Sequence, residues 1–211
     1  MRASKLRPRS QLQKSATIEE VAVDTSNRDS RPPLPINTYW VVPNRFAAGE
    51  YPGALNRSEA GYKLRMLLHA GVGRFIDLTE SNEGLLPYAE TGADEARQLG
   101  TAFEHVRHSV VDLHVPESPL KTAAILDDID GAMADGKTVY VHCWGGVGRT
   151  GTVVGCWLVR HGRTGDEALD QIAKWWEGME KRYRTPRSPE MPGQREYVRN
   201  WSEPGSDTPR G

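Results

Sequence analysis

Cysteine is nearly absent from this chain: Cys143 and Cys156 are the only two in 211 residues. Two thiols make no disulfide framework, so folding must rest on a buried core, and a reducing compartment, the cytoplasm, is expected. Long apolar runs are absent too. The longest, around Thr152–Val159, is far too short for a bilayer, and no membrane span is expected. Neither sign of charge dominates: Lys and Arg number 27 against 28 Asp and Glu, a net charge of −1. Nothing in that balance points to nucleic acid. Acids are missing only from the first 18 residues, which carry Arg2, Lys5, Arg7, Arg9 and Lys14. That start has no apolar stretch for a secretory signal, and Pro8 interrupts a transit-type helix, so it reads as a disordered tail. Internal repeats are absent.

What is present is enough for one domain with a sizeable core. Residues 1–37 read as a tail ending in the stiff lead-in Arg31-Pro32-Pro33-Leu34-Pro35, residues 38–201 as the domain, and residues 202–211 as a second tail. Trp40-Val41-Val42 reads as a strand, and Ser58 as the N-cap of a helix through His69 that Gly71 ends. Val72–Leu78 reads as a buried strand and Asp94–Leu99 as a short helix, with strand character again at Phe103, Val106 and Val110. Pro119–Met133 reads as a helix with Leu120, Ala124, Ile125, Ile129 and Met133 on one face. Thr138–Val141 is the central strand, followed by helices over Arg149–His161, Gly165–Gly178 and Ser188–Trp201. This alternation predicts an α/β fold: a central, mostly parallel sheet flanked by helices, with ligands at the C-terminal strand ends.

The densest signal is His142-Cys143-Trp144-Gly145-Gly146-Val147-Gly148-Arg149-Thr150-Gly151. A strand delivers a cysteine, a glycine-rich turn follows, and a helix starts at an arginine. Glycines let successive backbone N–H groups converge on one anion at a helix N-terminus. Arg149 can close the ring with a planar fork matched to phosphoryl oxygens, and the same positive field favours the thiolate that attacks. A Walker-type nucleotide loop is excluded, because no Gly-Lys-Ser/Thr follows the glycines. A zinc site is excluded by spacing, both at His142-Cys143 and at His69, His105, His108 and His161. No metal or cofactor is expected. Cys156 and Trp175-Trp176 read as core residues.

This run matches His-Cys-x2-Gly-x2-Arg-Thr and is similar to the signature of the cysteine-dependent protein tyrosine phosphatase superfamily, in particular its small dual-specificity-like members. Asn44–Gly53 resembles their opening strand segment, Phe75–Thr79 their next core strand, and Val111–Pro116 the mobile loop that carries their general acid. The resemblance spans roughly residues 38–201. It implies that Cys143 is the nucleophile of a phosphocysteine intermediate. It implies that Trp144, Gly145, Gly146, Val147, Gly148 and Arg149 bind the phosphoryl group. His142 is expected to hydrogen-bond the loop, and Thr150 to donate to the sulfur or cap the helix. Asp112 is expected to protonate the leaving group and later to take a proton from water. Asp77 reads as structural, and Glu117 and His114 are weaker acids in reserve. Gln194 resembles the glutamine that positions hydrolytic water in some relatives.

No Lys or Arg lies between Cys143 and Arg149. Each additional phosphate brings about two negative charges, so this loop suits a singly phosphorylated group. A phosphotyrosine or phosphoserine/threonine side chain of a protein partner is the expected substrate. A phosphoinositide or other small-molecule phosphatase would use the same loop. A phosphate-binding adaptor would need neither Cys143 nor Asp112, and a rhodanese-type sulfurtransferase neither Asp112 nor Thr150.

Overall fold

The computed structural model of the chain describes residues 33–205. Most of both expected tails, residues 1–32 and 206–211, lies outside them. Five strands form one sheet in the order β1-β2-β5-β3-β4: β1 Thr38–Val42, β2 Phe46–Gly49, β3 Val72–Asp77, β4 Glu104–Arg107 and β5 Thr138–His142. Only β1 runs antiparallel to its neighbour, so the sheet is mostly parallel, and β5 lies at its centre. Among the described residues six α-helices accompany it: α1 Arg57–His69, α2 Ala89–Leu99, α3 Pro119–Ala134, α4 Gly148–Arg160, α5 Gly165–Trp176 and α6 Pro192–Arg199, with a 3-10 turn at Glu180–Tyr183.

The period-two alternation of a strand builds two cores, one on each face of the sheet. Tyr140 of β5, Phe75 of β3 and Ala47 of β2 pack with Leu64, Leu67 and Leu68 of α1 and Ala96 of α2. Their neighbours Val139, Val141, Ile76, Phe46 and Ala48 face the opposite way, against Ile125 and Ile129 of α3, Val153, Val154 and Trp157 of α4, and Ile172 of α5. Every residue of α4 from Gly148 to Leu158 is buried, including the polar Arg149, Thr150 and Thr152 of its first turns. Cys156 lies in that core, where burial pushes its thiol far up. Trp176 is buried there too, while Trp175 is half-buried and stacks on Tyr39 with ring centroids 5.3 Å apart.

Several sequence expectations shift. Asn56, not Ser58, caps α1: its backbone is extended and its side chain accepts the Ser58 N–H at 2.8 Å. α2 begins at Ala89, one and a half turns earlier than expected. The buried face of α3 is Thr122, Ile125, Leu126, Ile129 and Ala132. Leu120 is 71 % exposed and Ala124 is exposed as well. Both lie on the stripe that carries Asp127, which faces solvent, so the expected face was rotated. The last helix starts at Pro192 rather than Ser188. Pro192 takes the first helical position, where a missing N–H costs nothing, and Ser188 is used elsewhere.

Candidate active site

β5 ends at His142 between β2 and β3 and delivers Cys143 into the turn that leads to α4. The carbonyls of this turn are held from outside. His142 Nδ1 lies 3.3 Å from the Cys143 carbonyl oxygen. The Tyr51 N–H donates to the Trp144 carbonyl at 3.0 Å, Lys181 Nζ to the Gly145 carbonyl at 2.9 Å, and Ser188 Oγ to the Val147 carbonyl at 2.8 Å. Across a planar trans peptide the C=O and the following N–H point in opposite directions. Tying these carbonyls outward therefore turns the N–H groups of Trp144, Gly145, Gly146 and Gly148 inward, the arrangement of an anion nest. One of the glycines is sterically required. Gly146 has φ +74°, and a Cβ on it would lie 2.5 Å from the Gly49 backbone. A Cβ on Gly148 would lie 2.8 Å from both amide atoms of Gln194 and from a carboxylate oxygen of Glu190, ends of side chains that could move aside, so the backbone requirement rests on Gly146.

His142 is fully buried and neutral. Burial pushes it down to about 4 against the opposing charge of Asp77. Its Nε2 lies 2.6 Å from the Tyr88 hydroxyl. With that hydroxyl as donor, Nδ1 carries the ring proton and donates to the Cys143 carbonyl. Asp77, also fully buried, accepts from the Thr79 N–H and hydroxyl at 2.8 and 2.7 Å and from Arg107 Nη2 at 2.9 Å. Burial alone would raise its carboxyl. His105, His142 and Thr79 outweigh that and hold it well below the usual carboxylate range. Asp77 is thus committed to this network behind the loop, the structural position its sequence context suggests.

Arg149 lies just inside α4 with its guanidinium buried. Nη1 meets Glu83 Oε1 and donates to the Val110 carbonyl at 3.0 Å; Nη2 donates to Glu83 Oε2 at 2.9 Å and lies 2.9 Å from Asp112 Oδ1. Burial opposes its charge, but Glu83 and its other anionic neighbours outweigh that and raise it further. Two donors at the loop remain without a partner among the described residues: Arg149 Nε and the fully buried Thr150 hydroxyl. Buried donors of this kind carry a desolvation cost of about 1–3 kcal/mol each until an acceptor arrives.

Residues 35–191 match the family described as "PTP-SAK: Swiss Army Knife protein, DSP-PTPase phosphatase domain". The chain belongs to this family. It is 30 % identical over 127 residues to the dual specificity protein phosphatase CDC14A of Mus musculus, covering 59 % of this chain and 19 % of that one. It therefore spans about a fifth of the length of that curated relative. It is 37 % identical over 93 residues to phosphatidylglycerophosphate phosphatase PTPMT2 of Arabidopsis thaliana, covering 43 % of this chain and 37 % of that one. Among solved structures it resembles Tk-PTP in its active form, with TM-score 0.54, 27 % identity, and coverage of 77 % of this chain and 93 % of that one. Kinase associated phosphatase shares the fold at TM-score 0.58 and 16 % identity, over 79 % of this chain and 92 % of that one.

In this member of the family the ion pair with Arg149 brings Asp112 to the loop, while leaving its side chain 49 % exposed. Its loop is tied at two points: Pro116 is buried, and Gln194 Nε2 donates to the His114 carbonyl at 3.0 Å. Gln194 is buried, not a surface residue; its Oε1 accepts the Met191 N–H at 3.2 Å, so both ends of the amide are engaged by protein groups. His114 turns its Nδ1 to the Asp112 carbonyl at 2.7 Å, and Glu117 is exposed. Trp144 is 60 % exposed at the mouth.

Sequence reasoning missed Glu83, Glu190, Lys181, Ser188 and Tyr88. Each acts across long sequence separations, such as 66 residues for Arg149–Glu83 and 36 for Lys181–Gly145. The local signal for Glu83 was an acid three places after Glu80, just past a strand end. Its Oε1 accepts the Glu80 N–H at 2.7 Å and closes that turn. His105, His108 and His161 each face a single carboxylate, of Asp77, Asp128 and Asp130 respectively. No helix among the described residues is long and apolar enough to cross a membrane.

Proposed function

We propose that this chain hydrolyses phosphomonoesters through a phosphocysteine at Cys143, and that its substrates are phosphorylated side chains of proteins. The observation that carries the reading is the Cys143–Arg149 loop, with its carbonyls tied outward and two unpartnered donors, Arg149 Nε and the Thr150 hydroxyl. Residues 38–201 are taken as the catalytic unit, acting in the cytoplasm.

In the first step the Cys143 thiolate attacks phosphorus, the bond to the leaving oxygen breaks, and Asp112 gives that oxygen a proton. In the second step water attacks phosphorus, the Asp112 carboxylate takes its proton, and the S–P bond breaks to release inorganic phosphate and the thiolate. Thr150 donates to the departing sulfur. Gln194, beside Gly148, borders the space where that water must stand. Nη2 of Arg149 donates to Glu83 and lies 2.9 Å from Asp112 Oδ1, an ion-pair contact that holds the acid against the guanidinium. An incoming phosphoryl oxygen therefore displaces Asp112 from the guanidinium and frees the acid for the leaving group, while Glu83 keeps the fork in place.

A second reading, hydrolysis of a lipid or small-molecule phosphate, rests on the similarity to phosphatidylglycerophosphate phosphatase PTPMT2 and to a solved PTPMT1 in complex with PI(5)P, the latter at 21 % identity and TM-score 0.56. Turnover of a phosphotyrosine and phosphoserine/threonine peptide panel beside phosphatidylglycerophosphate and phosphatidylinositol phosphates separates the two. The protein reading fails if kcat/KM for the best lipid exceeds that for every phosphopeptide.

A further inference from the structure

The catalytic loop itself holds no cation between Cys143 and Arg149, yet the fold brings cations to it from another segment. Residues 181–188 form an arch anchored on the loop at both ends, by Lys181 Nζ on the Gly145 carbonyl at 2.9 Å and by Ser188 Oγ on the Val147 carbonyl at 2.8 Å. Its middle is fixed to α5, where Trp176 Nε1 donates to the Thr185 carbonyl at 2.8 Å. Its backbone start is fixed by the Asn37 side chain, which accepts the Lys181 N–H at 3.2 Å. The arch is therefore a rigid rim of the phosphate site.

Arg182, Tyr183, Arg184 and Arg187 project from this rim. All four are exposed, Tyr183 at 80 %. Arg182 packs over the Tyr183 ring at 4.9 Å. None of the three arginines has a carboxylate within ion-pair distance among the described residues. Elsewhere several exposed arginines are matched: Arg57 and Arg97 both reach Asp94, and Arg199 reaches Asp166, whereas Arg45 has only the Met133 carbonyl. Arg182 and Arg187 line a groove with Asp170, Glu177, Arg195 and Arg199, so two carboxylates face four guanidinium groups there and the net charge is positive. Three guanidinium groups without an ion-pair partner, on a segment whose two ends are bonded to the phosphate loop, are pre-organised for anions.

We propose that this arch is a substrate-selecting surface that reads acidic residues flanking the phosphorylated side chain of a protein substrate. The proposal rests on the phosphoprotein reading above and deepens it. The scissile phosphate enters the loop, and Asp or Glu side chains a few residues away pair with Arg182, Arg184 and Arg187. Selection of this kind acts on KM and weakens with salt, because the pairs are exposed.

The test uses three peptides with the same phosphorylated residue, flanked by Asp/Glu, by neutral residues or by Lys. They are assayed with the full chain and with the Arg182→Ala/Arg184→Ala/Arg187→Ala variant, with nitrophenyl phosphate as an internal reference and Cys143→Ser as the blank. The wild-type chain is expected to favour the acidic peptide over the neutral one by about tenfold in kcat/KM, the combined effect of several exposed pairs. The triple variant should bring that ratio to about one, through KM. A ratio near one in the wild type, an unchanged ratio in the variant, or a preference for the Lys-flanked peptide overturns the proposal. It is equally overturned if the arginines alter turnover only on vesicles containing anionic phospholipid. If no peptide is cleaved while nitrophenyl phosphate is, the phosphoprotein reading itself has failed. A preference lost on the variant distinguishes the arch from that failure.

Discussion

The Cys143–Arg149 loop and the Asp112 loop meet at one guanidinium, and they are built in opposite ways. Four carbonyls of the first are tied by donors from four separate places: His142, Tyr51, Lys181 and Ser188. Behind it stands the buried chain Tyr88–His142 and the carboxylate of Asp77. The second loop reaches the site through one ion pair on a half-exposed side chain and one bond from Gln194. The anion seat must exist before substrate arrives, because its stabilisation depends on N–H groups that need not reorganise. On the proposed mechanism the acid must instead leave Arg149 and find the leaving group, so few bonds hold it. Rigidity is placed where charge develops, and freedom where a proton has to travel.

The largest effect lies in the rigid loop. Cys143→Ser is expected to cut turnover by about 10³-fold or more, since a hydroxyl is not ionised by this field, while vanadate still binds the intact nest. Alkylation kinetics test the same point. Cys143 is expected to react far faster than Cys156, whose thiol burial pushes far up, and vanadate should protect it. Equal labelling of the two cysteines would remove the distinction between nest and core.

The next effect lies in the mobile partner. Asp112→Asn is expected to lower phosphopeptide turnover by about 10²–10⁴-fold, the range for a positioned acid. Nitrophenyl phosphate, with its better leaving group, should lose less. Equal slowing on both substrates would mean that Asp112 serves Arg149 rather than the leaving group, and the contrast between the loops would fail.

Acid should dismantle the rigid loop from behind. His142 sits at about 4 in the folded chain against an ordinary value of 6.5, so the unfolded state binds its proton more readily. Stability is therefore complete above about pH 6.5 and declines as pH falls toward 4, by up to about 3 kcal/mol for this fully buried group. The depressed Asp77 carboxyl adds a further loss below its unfolded value of about 3.9. Urea midpoints at pH 7 and pH 4.5 measure this. A midpoint that does not move, or that moves equally in His142→Asn, would show that His142 is not the group responsible.

What the sequence made legible follows the same division. The strand, Cys143, the glycines and Arg149 are contiguous, so the chemistry could be read from ten residues in a row. Asp112 was singled out from a short run near prolines, but nothing local in the sequence said that it would sit on Arg149. The ties of the loop come from Tyr51, Lys181 and Ser188, whose side chains or backbone mean nothing until the sheet order β2-β5-β3 and the arch bring them together. Gln194 was singled out by resemblance alone; its burial beside Gly148 and its bonds to His114 and Met191 come from packing that no local pattern shows. The face of α3 was misread for a simpler reason. Leu120 counts as apolar in any periodic pattern, yet it falls in the first turn after the Ser118 cap, ahead of the buried stripe.

The smallest effect tests whether the rigidity of the loop is shared among its ties. Lys181→Met removes the cation that holds the Gly145 carbonyl and pairs with Glu50 at 2.8 Å. The 145–146 peptide is then free to rotate, and one N–H of the nest is no longer aimed inward. The other three carbonyls keep their donors, so the seat survives with one weakened contact. A single charge-assisted hydrogen bond contributes about 1.5–3 kcal/mol, and partial loss of one points to about a tenfold rise in KM and in the inhibition constant for vanadate. Turnover at saturation should change much less, because Cys143, Arg149 and Asp112 are untouched. Glu50→Gln removes the ion pair but leaves Lys181 on the carbonyl, and should be milder still. If Lys181→Met proved as damaging as Cys143→Ser, one tie would govern the whole loop. If it were silent even toward vanadate, the loop would be held by its glycines and the α4 start alone, and the contrast with the Asp112 loop would have to be drawn from backbone conformation instead.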